Sequence, residues 1–61
     1  MTFEEHITKM ETTRRAQLHA WERLTAIPYA KQYHHADYGE ACDTHENAIR
    51  EFVAAWAKRE F

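Results

Sequence analysis

Pro28 and Gly39 are the sole proline and glycine in this chain of 61 residues, and that scarcity of breakers constrains the fold more than any other feature. A sheet needs a turn every few residues, and turns draw heavily on Gly and Pro. A chain punctuated twice is expected to be all-α. Its 44% hydrophobic and 30% charged residues are the composition of a folded chain and not of a disordered one.

The first helix is predicted over about residues 3–26. Thr2-Phe3-Glu4-Glu5 reads as a capping box, in which the Thr2 hydroxyl and the Glu5 carboxylate satisfy each other's backbone amides. Phe3, Ile7, Met10, Arg14, Leu18, Trp21 and Leu24 then recur at steps of three and four, which is one helical stripe. Glu5–Lys9 and Glu11–Arg15 are spaced as i,i+4 ion pairs in the favourable order. Ile27-Pro28 ends this helix, because the residue before proline is pushed out of helical geometry. Residues 28–35 read as a short helix or helical turn.

A further helix is predicted from about residue 38 or 44 to about residue 60. Asp37 and Asp43 each precede a glutamate by three residues and resemble N-terminal caps. Ala41, His45, Ala48, Ile49, Phe52, Val53 and Trp56 are assigned to its inner face. Glu46–Arg50 is a third i,i+4 pair, and Lys58 and Arg59 suit the C-terminal dipole.

The expected architecture is one domain, residues 1–61, folded as a helical hairpin with a short helical connection. A chain this small has a marginal core, and Cys42, its one cysteine, has no internal partner for a disulfide. Pairing of two hairpins into a four-helix bundle is therefore expected. The alternative is a three-helix monomer in which residues 28–38 fold back. The dimer interface is assigned to Phe3, Ile7, Met10, Arg14, Leu18, Trp21, Phe52 and Trp56. Arg14 interrupts that apolar stripe and must snorkel out or make a register-setting contact across the dimer seam.

Several functions are disfavoured. No apolar run approaches the length of a membrane span, and the acidic N-terminus does not look like a signal peptide, so a cytoplasmic location is expected. A formal net charge of -2, from eight Lys/Arg against ten Asp/Glu, argues against duplex nucleic acid as a partner. Cys42 and His45 are three apart and suggest a metal site completed by His34 or His35, or a nucleophile–base pair. The spacing matches no structural zinc pattern, and no oxyanion loop accompanies the thiol. No catalytic residue, metal or other cofactor is expected, and Cys42 is not expected to be essential.

Tyr29, Tyr33, His34, His35 and Tyr38 fall within ten positions of the connecting segment. Tyrosine supplies contact area at low entropic cost, so this group is the expected partner-binding surface. That assignment assumes that the long helices spend their apolar stripes on the core. The function read from these features is a small non-enzymatic factor that docks on a larger protein and regulates or inhibits it. Accessory proteins and inhibitors encoded by bacteria or phages are of this kind. A self-associating assembly protein and a metal-dependent regulator are the alternatives.

Overall fold

Two helices, α1 (Phe3–Ala26) and α2 (Lys31–Lys58), lie antiparallel along each other. In the computed structural model, residues 1–26 and 31–61 are described, without the side chains of residues 31–34. Among the described residues there is no strand. The hairpin measures 46 × 15 × 11 Å. Its Cα radius of gyration is 14.1 Å, against about 10.5 Å for a compact domain of this length.

The start of α1 follows the sequence closely. Thr2 donates its amide to Glu5 Oε1 at 3.2 Å, and the Glu5 amide donates to Thr2 Oγ1 at 3.2 Å. These Thr2 hydrogen bonds stabilise the Glu5 carboxylate and lower its pKa. Because Glu5 is held there, Lys9 does not need it. Lys9 reaches across to Glu51 of α2 instead, at 2.6 Å, and this pair lowers the Glu51 pKa. The Arg50–Glu46 pair forms within α2 at 3.7 Å.

The second helix departs from its expected bounds. It begins at Lys31 and runs unbroken through Asp37, Gly39 and Asp43. The predicted boundaries at about residues 38 and 44 are therefore interior positions. A mid-helix glycine costs only about 1 kcal/mol relative to alanine, less than the hydrogen bonds and packing that a break would forfeit. Gly39 has no positive φ, and a Cβ built there meets nothing within 4 Å. Gly39→Ala is accordingly expected to stabilise the protein by about 1 kcal/mol, read as a raised midpoint in urea denaturation. Pro28 lies outside the described residues.

The C-terminus of α2 turns back on itself. Arg59 adopts φ 53°, its amide donates to the Trp56 carbonyl at 3.1 Å, and the Glu60 amide donates to the Ala55 carbonyl at 3.0 Å. This is the Schellman pattern, with arginine where glycine is usual. It returns Phe61 onto the helix pair, where its ring lies 5.5 Å from Phe3 and 5.7 Å from Phe52.

The seam between the helices is not the stripe of large residues. On α1 it follows His6, Met10, Thr13, Gln17, Ala20 and Leu24. On α2 it follows Tyr38, Ala41, His45, Ala48, Phe52 and Ala55. All twelve are buried or half-buried, and their steps alternate between three and four, as in an antiparallel coiled coil. Three alanines, Ala20, Ala48 and Ala55, let the backbones approach. Beside the Lys9–Glu51 ion pair, two further polar pairs cross the seam among the described residues: Thr13 Oγ1 with His45 Nδ1 at 2.9 Å, and Gln17 Nε2 donating to Cys42 Sγ at 3.1 Å. Among the described residues, Leu24 is the one large aliphatic side chain in the buried set, and no large side chain is fully enclosed.

Candidate functional site

With alanines at three buried positions of the seam, most of the large apolar side chains are left on one broad face. Helical geometry of 100° per residue places Phe3, Ile7, Arg14, Leu18 and Trp21 about 80° round α1 from the seam. Cys42, Ile49, Val53 and Trp56 stand about 70° round α2 in the same sense. In an antiparallel pair these two faces lie on the same side. The contacts agree: Trp21 packs on Tyr38 with ring centroids 5.3 Å apart, and Phe3 on Phe52 at 5.7 Å. Phe3, Leu18, Trp21, Ile49, Val53 and Trp56 remain 39–62% exposed.

The opposite broad face is polar. Its groove is lined by Thr12, Thr13, Ala16, Arg23, Asp37, Glu40, Ala41 and Thr44. The hairpin is therefore two-sided, with apolar side chains in front and hydroxyls and charges behind.

A polar chain crosses the middle of the apolar face. Arg14 Nη1 donates to Gln17 Oε1 at 2.7 Å, and Gln17 passes the contact on to Cys42. Cys42 also neighbours Tyr38 and raises the tyrosine pKa. On one side of this chain lie Leu18 and Trp21. On the other lies an aromatic end, where Phe3, His6, Phe52, Trp56 and Phe61 have centroids 5.5–6.2 Å apart. His6 is buried there with an unpartnered Nδ1.

The sequence-assigned interface residues divide accordingly. Phe3, Arg14, Leu18, Trp21 and Trp56 are exposed, while Ile7, Met10 and Phe52 are half-buried. Ile49, Val53 and Trp56, assigned to the inner face of the second helix, point away from the seam. The long stripes are thus not consumed by the core, which removes the premise on which the tyrosine cluster was chosen. Within that cluster His35 is exposed and Tyr38 joins the apolar face through Trp21. Tyr29 lies outside the described residues, as do the side chains of Tyr33 and His34.

Sequence reasoning passed over Ile49, Val53 and Phe61 as surface residues. The alternating run of small and polar residues at His6, Thr13, Gln17 and Ala20 was the signal that could have revealed the seam. Cys42 and His45 face different partners, Gln17 and Thr13. Among the described residues no group of three His, Cys, Asp or Glu side chains is placed to hold a metal ion. None of the described helices is long and apolar enough to cross a membrane. In comparisons with known proteins, no family model, no curated protein and no solved structure matches this chain.

Proposed function

We propose that this chain is a non-enzymatic interaction protein that works through its apolar broad face. The observation that carries the reading is the set of six large apolar side chains, 39–62% exposed, gathered on one side of a hairpin whose other side is polar. Contiguous exposed apolar surface rimmed by polar residues marks an interaction site. Aromatic and aliphatic anchors of this kind dominate binding energy between proteins. Two helices side by side present a flat face, which suits a macromolecular partner better than a small molecule that must be enclosed. Regulation or inhibition of a bound protein and self-assembly are both roles that such a surface serves.

A photo-reactive phenylalanine introduced singly at Leu18, Val53, Thr12 or Thr44 tests this. Irradiation in expressing cells is expected to give discrete protein adducts from Leu18 and Val53 on the apolar face. Thr12 and Thr44, on the polar face, are expected to give few. Adducts arising equally from both faces would overturn the reading.

A further inference from the structure

We infer that a second copy of this chain covers the apolar face, with the two-fold axis parallel to the helices and both connections at the same end. The inference rests on the reading of that face as an interaction surface, and it names the occupant.

Surface area gives the first argument. A folded chain of 7.3 kDa ordinarily exposes about 4,200 Å², whereas this hairpin exposes 4830 Å². Two separate hairpins expose twice that area, but one folded protein of doubled mass exposes roughly 6,900 Å² by the same scaling. The difference, about 2,800 Å², lies within the range of permanent dimers. The face is also long enough, since it runs the length of a 46 Å hairpin.

Self-complementarity gives the second argument, and it fixes the orientation. Contacts at Lys9–Glu51, Thr13–His45, Gln17–Cys42 and Trp21–Tyr38 set which residues of α1 and α2 stand at the same height. A two-fold axis parallel to the helices lays each α1 on the α2 of the second copy while preserving those heights. Ile7 then meets Val53, Leu18 meets Cys42, and the aromatic end lies on the aromatic end. Arg14, midway along α1, comes level with Glu46 of the second copy. Glu46 is exposed and meets Arg50 of its own chain only loosely, at 3.7 Å. The remaining face-to-face arrangement, with the axis perpendicular to the helices, lays α1 on α1. It sets Arg14 against a second Arg14 in apolar surroundings, where like charges repel strongly.

Sedimentation equilibrium on the full chain at micromolar concentration is expected to give twice 7.3 kDa. Val53→Glu is expected to raise the dissociation constant about 30-fold or more, the size of a hot-spot loss. Arg14→Glu and Glu46→Arg should each raise it about 10-fold. The double swap should return to within about threefold of the original, because the pair is coupled. Circular dichroism establishes that each variant remains helical. If Val53→Glu fails to fold, the unmodified chain and the two exposed charge sites still decide. A folded 7.3 kDa monomer at every concentration would overturn the second copy; photo-adducts to a different protein would then leave the interaction surface standing. A dimer weakened by Arg14→Glu but indifferent to Glu46→Arg would overturn the orientation.

Discussion

Leu24→Ala is expected to lower stability by about 2–5 kcal/mol, which is comparable to everything a core of this size supplies. Leu24 is 5% exposed and, among the described residues, is the one large aliphatic side chain in the buried set; the other buried apolar residues there are alanines. Deleting its methyl groups removes transfer free energy and leaves a void that Ala20 is too small to fill. Thermal melting followed by circular dichroism at fixed protein concentration is the measurement. A midpoint lowered by less than about 5 °C would show that the two helices are held together elsewhere.

His6→Leu is expected to act in the opposite direction and raise stability by about 1–3 kcal/mol. The imidazole is 5% exposed, its Nδ1 is unpartnered, and its ring sits 5.8 Å from both Phe52 and Phe61. A buried polar atom without a partner loses its hydration and gains nothing in return. Leucine keeps most of the volume and removes the orphaned nitrogen. Urea denaturation at the same concentration reads the change as a higher midpoint with an unchanged slope. A loss of stability would show that the ring's edge contacts with the phenylalanines outweigh the nitrogen left dry.

Thr2 and Glu5 were legible because a capping box is a local device, complete within four residues. The all-helical character was equally legible from the two breakers. Gly39 and the aspartate caps misled because their local preference, about 1 kcal/mol, is smaller than what a continuous α2 gains by packing along α1. Phe61 was illegible, since its return depends on Arg59 taking a left-handed conformation that glycine would ordinarily supply.

The candidate site was visible as residues but not as a surface. Phe3, Leu18, Trp21 and Trp56 stood out in the sequence because they are large and regularly spaced, and that spacing assigned them to a dimer interface without showing that they stand off the line between α1 and α2. Two helices in contact, however, bury only one narrow line of each. The line along which the backbones meet is the one that carries the buried alanines Ala20, Ala48 and Ala55. Local hydrogen bonding and propensity therefore determined that this chain forms helices and where the first begins. Only the tertiary structure decided which stripe lies inside, because that choice depends on how closely Ala20, Ala48 and Ala55 allow α1 and α2 to approach. The large residues that fall off that line, Phe3, Leu18, Trp21, Ile49, Val53 and Trp56, became the face left open.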